Sequence, residues 1–254
     1  MLQYSNHPMD CQPRLLSRVY DASRLLLHKL FPATCLLCLD PGQQPALDLC
    51  GGCEGDLPRN HPACEACALP AATAGICGSC TRRRAFDAAF APYRYEFPLV
   101  ELIHRLKYGN QIAIARILGT LLAHRLLEQG LPQVDAIVPV PLHPAREARR
   151  GYNQAREIAR YAAEALGLPL QDGIARRIRE TEEQAALPAI VRAANVRGAF
   201  EVYTRAPPRR VAIVDDVLTT GATAAALAHA FRRAGCRRVE VWAVARAVGG
   251  APAG

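Results

Sequence analysis

Several features are missing from this 254-residue sequence, and each absence removes a class of function. No run of about 18 apolar residues occurs, so no membrane-spanning helix is expected. The first 20 residues lack the continuous apolar core of an export signal, and the stretch from Leu25 to Phe31 is interrupted by His28 and Lys29. A cytoplasmic chain with reduced thiols is the expectation. The dipeptide Gly-Lys is absent, which excludes a P-loop. Lysine is scarce, with Lys29 and Lys107 standing against 29 arginines. A lysine kept against that bias is a candidate point charge. This singles out Lys107.

What is present falls into two unlike halves. The net charge of +8 lies wholly beyond residue 90: residues 1–90 carry eight basic and eight acidic residues, and residues 91–254 carry 23 and 15. A basic excess is either a solvated surface or a site for phosphate-rich ligands or nucleic acid. Eight of the ten cysteines form four Cys-x-x-Cys pairs, Cys35/Cys38, Cys50/Cys53, Cys64/Cys67 and Cys77/Cys80. Each pair turns two sulfurs toward one metal, and two pairs supply a tetrahedral zinc site. Two structural zinc ions are therefore expected, with sequential pairing, although a crossed arrangement fits the same spacing. Isolated pairs would also suit redox dithiols, but four of them in a chain of reduced thiols favour zinc. Gly51, Gly52, Pro58, Pro62, Pro70 and Gly75 leave this segment too turn-rich for a core of its own, so metal must supply its folding free energy. Eight thiolates around two zinc ions carry a net charge of about −4, which argues for a structural or protein-contact role over phosphate binding. Cys11 and Cys236 stand apart as incidental or buried residues. Ahead of the cysteines, Leu15, Leu16, Val19, Leu26, Leu27 and Leu30 recur at helical spacing.

Beyond residue 88 strands and helices alternate, which implies an α/β domain with a mostly parallel sheet. Strands are predicted over 90–95, 134–140, 199–203, 211–214 and 239–244. Helices are predicted over 99–108, 112–128, 153–165 (capped by Asn153 and closed by Gly167) and 222–234. Residues 171–197, polar and rich in arginine, read as a long loop or extended hairpin. Tyr93, Tyr95, Tyr108 and Tyr152 are expected in the core.

The segment Val211-Ala-Ile-Val-Asp-Asp-Val-Leu-Thr-Thr-Gly-Ala-Thr223 carries the chemistry. Four apolar residues make a central strand, two carboxylates follow, and a turn of small residues opens into a helix. Ligands of open α/β sheets bind at that edge. Thr219, Thr220, Gly221, Ala222 and Thr223 place backbone N–H groups and hydroxyls at a helix N-terminus, a phosphate cradle. Gly221 allows close approach of a ligand. Asp215 and Asp216 beside such a cradle suit ribose hydroxyls or Mg²⁺. Response-regulator receivers also begin with an apolar-Asp-Asp strand, but near the start of the domain.

This 13-residue segment resembles the ribose-phosphate motif of type I phosphoribosyltransferases. Together with Leu106-Lys-Tyr-Gly109, Val138-Pro-Val-Pro-Leu-His-Pro144, Arg150-Gly-Tyr-Asn-Gln154, residues 184–192 and Asn195-Val-Arg-Gly-Ala-Phe200, it resembles the ComF family over about residues 32–248. That family joins an N-terminal zinc ribbon to a type I phosphoribosyltransferase fold and is associated with natural competence and DNA uptake. The apolar spacing ahead of the cysteines gives an N-terminal helix over 1–33, and the resemblance implies a double zinc ribbon over 34–86 and a phosphoribosyltransferase-like domain over 88–250. It implies 5-phosphoribosyl-1-pyrophosphate as ligand with Mg²⁺. Asp215 and Asp216 would grip the ribose hydroxyls, and Thr219–Thr223 the 5-phosphate. Val140, Pro141, Leu142 and His143 fall where such enzymes keep a pyrophosphate loop, and residues 171–197 where they keep a lid. Arg176, Arg177 and Arg192 on that lid, with Lys107, Arg150 and Asn153, are pyrophosphate candidates, although solvated loop charge explains the lid arginines and a helix cap explains Asn153. Three functions fit: a transferase with an unidentified nitrogen acceptor, a sugar-phosphate sensor, and a factor that handles single-stranded DNA or docks to a competence helicase.

Overall fold

The computed structural model describes residues 33–43, 47–82, 84–130, 132–179, 196, 198–204 and 206–248. The apolar stripe from Leu15 to Leu30, Cys11 and Arg192 lie outside them. The chain forms two compact units, Met1–Gly55 and Asp56–Gly254, so the boundary falls between the second and third Cys-x-x-Cys pairs, inside the 34–86 segment.

In the first unit the described residues make two turns and a short helix, α1 (Gly51–Gly55). The Cys35 amide donates to the Asp40 carbonyl at 2.8 Å, and the Leu36 amide to the Asp48 carbonyl at 3.0 Å. The second bond ties the two turns together. Only Ala33, Cys35 and Leu49 are buried apolar residues among those described here. A core that small cannot stabilise a fold without a cross-link or a metal.

The second unit opens with the other two cysteine turns and α2 (Gly78–Arg82). It continues through β1 (Ala88–Phe90), β2 (Tyr93–Arg94), α3 (Leu99–Tyr108), α4 (Ile114–Glu128), β3 (Ala136–Pro139), α5 (Pro144–Arg150) and α6 (Gln154–Leu166). Then come β4 (Ala175–Arg177), β5 (Phe200–Val202), β6 (Arg210–Leu218), α7 (Ala222–Arg233) and β7 (Arg238–Arg246). The main sheet runs β1-β7-β6-β3, with β2 also on β7, and every pairing in it is parallel. β4 and β5 make a separate antiparallel pair.

Val211–Val214 is buried throughout, as is Val241–Arg246 of β7, so both faces of the sheet centre are covered. α4 packs on α6 and both reach the sheet, while α7 packs on β5, β6 and β7. Gly119 sets the α4–α6 distance: a Cβ there would lie 2.5 Å from the Ile158 carbonyl oxygen. Asn153 caps α6 by accepting from the amides of Ala155 at 3.0 Å and Arg156 at 3.4 Å, and left-handed Gly167 closes it.

Three features differ from the sequence reading. β6 does not stop at Val214 but runs through both aspartates to Leu218, because Asp215 and Leu218 stay in register with Ala243 and Arg246 of β7. Helix α5 stands where none was predicted; Pro144 starts it and left-handed Gly151 ends it. The 90–95 strand is two pieces, β1 and β2, both on β7.

Candidate functional site

The candidate site grows from the end of β6. The side chains of Asp215 and Asp216 turn back onto the strand, with the Asp216 amide donating to Asp215 Oδ1 at 2.9 Å and the Val217 amide to Asp216 Oδ1 at 2.7 Å. Each bond fixes a carboxylate without satisfying all its lone pairs. The remaining oxygen of Asp216 meets Lys107 of α3, whose Nζ lies 2.9 Å from Oδ2; the two side chains are 18% and 10% exposed. Burial opposes a charge on Lys107, but the carboxylates of Asp216 and Asp215 overcome it and hold the ammonium above its ordinary value. Asp215 has no such partner among the described residues. Although the residue is partly exposed, its carboxyl group is enclosed by protein, and that burial, reinforced by the Asp216 carboxylate, pushes it up to about 8.

The loop that follows is exposed at Thr219 and Thr220. Gly221 adopts φ +76° where the loop enters α7, and Thr220 Oγ1 accepts from the Ala222 amide at 3.3 Å. A Cβ on Gly221 would meet nothing closer than 3.8 Å, so the glycine answers to backbone conformation rather than to crowding within the chain. On the neighbouring strand edge the Val140 amide donates to the Val214 carbonyl at 2.9 Å. Asn153 Nδ2 donates to the Val140 carbonyl at 3.0 Å, so one buried side chain both caps α6 and holds the turn at Val140–His143. The enclosed Nδ1 of His143, which precedes α5, has no hydrogen-bond partner among the described residues.

Aromatic residues gather beside the acidic pair. Tyr95, His104 and Tyr108 form a row, with ring centroids 6.4 Å apart for the first pair and 5.8 Å, edge to face, for the second. Arg150 lies over the Tyr108 ring at 5.6 Å, and the Tyr152 hydroxyl donates to the Leu106 carbonyl. Tyr93 is fully buried as expected, but Tyr108 is 68% exposed, which corrects its placement in the core. Its side chain leaves α3 one position beyond the Lys107 that turns inward. His104 escaped the sequence reading; its spacing of four residues from Tyr108 on one helix was the available signal.

The structure thus brings Lys107, Asp215 and Asp216 together, and connects Arg150 to them through Tyr108. It keeps Val140 and Asn153 bonded on the adjoining edge. Arg176 and Arg177 lie on β4, Arg177 over the Phe200 ring of β5 at 5.5 Å and Arg176 over the Tyr203 ring just past the end of β5 at 4.8 Å, and no ion pair among the described residues joins Arg176 to the acidic pair.

The cysteines form two clusters, Cys35/Cys38/Cys50/Cys53 and Cys64/Cys67/Cys77/Cys80, each with its ligand atoms within 4.8 Å of one another. Sequential pairing is what the fold adopts. A tetrahedral zinc site with Zn–S of about 2.3 Å requires sulfurs about 3.8 Å apart. The Cys38–Cys50 and Cys67–Cys77 sulfurs are 3.6 Å and 3.9 Å apart. The amides of Cys53 and Cys77 donate to Cys50 Sγ at 3.4 Å and Cys64 Sγ at 3.3 Å. Both clusters fit a structural zinc ion.

Residues 26–81 match the family model described as a double zinc ribbon domain. Competence protein F of Haemophilus influenzae is 36% identical over 210 residues, covering 78% of this chain and 90% of that protein. DNA utilization protein YhgH of Escherichia coli is 33% identical over 226 residues, covering 85% and 97%. The chain belongs to the ComF family. Among solved structures, a purine phosphoribosyltransferase from Pyrococcus horikoshii is similar at 18% identity and a TM-score of 0.30, over 54% of this chain and 86% of that one. The architecture here is a double zinc ribbon followed by an α/β domain with a parallel main sheet, in which the acidic pair lies near the end of the central strand β6. No helix among the described residues is long and apolar enough to cross a membrane.

Proposed function

We propose that this ComF protein binds 5-phosphoribosyl-1-pyrophosphate, with Asp215 and Asp216 on the ribose hydroxyls and Thr219, Thr220, Gly221, Ala222 and Thr223 around the 5-phosphate. The observation that carries the reading is the end of β6, where an enclosed acidic pair leads directly into an exposed turn at the start of α7. Backbone N–H groups at a helix N-terminus favour a phosphate, and carboxylates favour the hydroxyls next to it. The turn Val140–His143, fixed by Asn153, is the pyrophosphate-side candidate, with Arg150 at the far end of the helix that follows it. Oxygen donors suit Mg²⁺, and Asp215, which lacks the Lys107 ion pair that Asp216 makes, is the carboxyl group that a bound Mg²⁺ would draw into its ionised form. Mg²⁺, when bound, offsets the negative charge of the pyrophosphate.

As a transferase, the domain would hold C1 of the sugar while a nitrogen lone pair forms the new bond. The C1–O bond breaks, its electron pair leaves with pyrophosphate, and the nitrogen releases its proton to solvent. Preorganised donors would stabilise the leaving group. A sensor would use the same contacts without turnover. The relatives' names, competence and DNA utilization, together with the exposed Tyr108 under Arg150, favour a second role in handling single-stranded DNA, since such rings stack bases.

Calorimetric titration of 5-phosphoribosyl-1-pyrophosphate with Mg²⁺ tests the main reading. Binding to the wild type and none to Asp215→Asn/Asp216→Asn is the expected result. Equal binding by the double variant would refute the assignment. Pyrophosphate release that depends on an added amine then separates the transferase from the sensor.

A further inference from the structure

One side chain joins the second cysteine cluster to the loop at the start of α7. Arg246 ends β7 and is only 6% exposed. Its Nε donates to the Cys67 carbonyl at 2.9 Å. Its Nη1 donates to the carbonyls of Leu218 at 2.7 Å, Ala247 at 2.6 Å and Thr219. Cys67 is a ligand of the second cluster, and Leu218 and Thr219 are the entrance to the candidate phosphate loop. Register with β7 puts Leu218 opposite Arg246, and the Ala247 amide closes the corner by donating to the Leu218 carbonyl at 3.1 Å.

A guanidinium is a costly choice for this place. Arg246 has no carboxylate partner among the described residues, and a buried charge is stable only when its donors are met. Four backbone carbonyls meet the N–H groups of Nε and Nη1, drawn from three segments of the chain. An apolar side chain could fill the space but could not fix carbonyl positions. The planar fork of arginine can, with the Cys67 bond on one arm and the loop bonds on the other. The position of the Cys67 carbonyl depends on its own turn, where the Ala68 amide donates to the Cys64 carbonyl at 2.8 Å and where both cysteines would ligate the metal.

We propose that Arg246 is a positioning residue that couples metal occupancy of the second cluster to the geometry of the Thr219–Thr223 loop. Resting on the reading of that loop as the 5-phosphate site, sugar-phosphate binding then depends on the second zinc ion and not on the first. Coupling is reciprocal, so a ligand in the loop slows loss of that zinc.

Hydrogen exchange of the full chain tests the coupling without any ligand. Three variants are compared with the zinc-loaded wild type: Cys64→Ser/Cys77→Ser, Cys38→Ser/Cys50→Ser and Arg246→Met. Exchange in residues 218–223 should rise about tenfold, a usual size for coupling between sites, in the second-cluster variant and in Arg246→Met, and stay at the wild-type rate in the first-cluster variant. Combining Arg246→Met with Cys64→Ser/Cys77→Ser should add little, since both remove the same link. An unchanged loop on loss of the second metal, or full additivity, would overturn the proposal. Where a cysteine variant also loses protection at Val211–Val214, Arg246→Lys with zinc content measured decides: a loosened loop with β6 and zinc retained upholds the coupling, and an unaltered loop refutes it. Absence of sugar-phosphate binding by the wild type would remove the proposed ligand while leaving the exchange result to stand or fall on its own.

Discussion

The two cysteine clusters use the same four-thiol chemistry and the same Cys-x-x-Cys spacing, yet they are supported differently. The first lies in the Met1–Gly55 unit, where Ala33, Cys35 and Leu49 are the buried apolar residues among those described. The second lies in the unit that holds the sheet, and its backbone is woven into it. The Ala89 amide donates to the Glu65 carbonyl at 2.9 Å, Asn60 bridges the carbonyls of Ala68 and Ala91 at 2.9 and 2.8 Å, and Arg246 takes the Cys67 carbonyl. A shared sequence motif therefore fixes how a metal is held, and not what depends on it. The first metal site sustains its own turns, whereas the second also sustains a sheet edge.

The largest effect that could break this contrast is metal loss itself. Replacing Cys64 and Cys77 by serine should lower the melting temperature of the sheet unit by about 10 °C, since removing a structural metal costs several kcal/mol and 1 kcal/mol shifts a domain of this size by about 2–4 °C. The same change at Cys38 and Cys50 should leave that transition in place while abolishing exchange protection at Cys35 and Leu36. Calorimetry and hydrogen exchange read both. Equal shifts from the two pairs would mean that the sheet does not distinguish the clusters. Elemental analysis should find about two zinc ions per chain, from four ligands per site, and about one in each variant.

Within the sheet unit, Lys107→Met should rank next. It leaves the mostly buried Asp216 carboxylate uncompensated, and breaking such a pair costs about 3–5 kcal/mol in denaturant unfolding. Restored stability in Lys107→Met/Asp216→Asn would show that the cost is the stranded charge. Asn153→Ala should cost about 1–2 kcal/mol, from a lost helix cap and an orphaned Val140 carbonyl. The last test is a slope with pH. Asp215 sits at about 8 in the fold against 3.8 in the reference state, so the fold favours its protonated form. Its contribution is fully present below about pH 4 and is lost as pH rises through 8. Unfolding free energy should therefore fall across that window, and Asp215→Asn should flatten the fall. Identical slopes for wild type and variant would place the Asp215 pKa near its ordinary value.

The parts legible in the sequence were those set by local pattern. The α3 bounds follow from its apolar repeat, and the α6 bounds follow closely from Asn153 and Gly167. The existence of two four-cysteine clusters followed from spacing, whereas their sequential membership, expected but equally open to a crossed arrangement, is fixed by the fold. The continuation of β6 past Val214 was hidden because adjacent aspartates look like a strand end, and only pairing with β7 carries them. Helix α5 carried its own signals, Pro144 and Gly151, but the residues between them offer no apolar stripe. The Lys107–Asp216 pair and the Arg246 bonds join residues far apart in the chain, which no window of sequence displays. The exposure of Tyr108 was missed for a related reason: an aromatic residue on an apolar helix reads as core until its neighbours are known.

Cys236 has a practical consequence for chemical labelling. Its thiol is buried, donates to the Pro208 carbonyl at 2.6 Å, and is pushed up to about 11 by that burial and by the nearby Asp135. Thiol reagents act on the thiolate, so near neutral pH this side chain is silent toward a maleimide. With Cys11 replaced by serine, alkylation of the native protein becomes a stopwatch for metal release, in which each group of four modified sulfurs marks one emptied cluster.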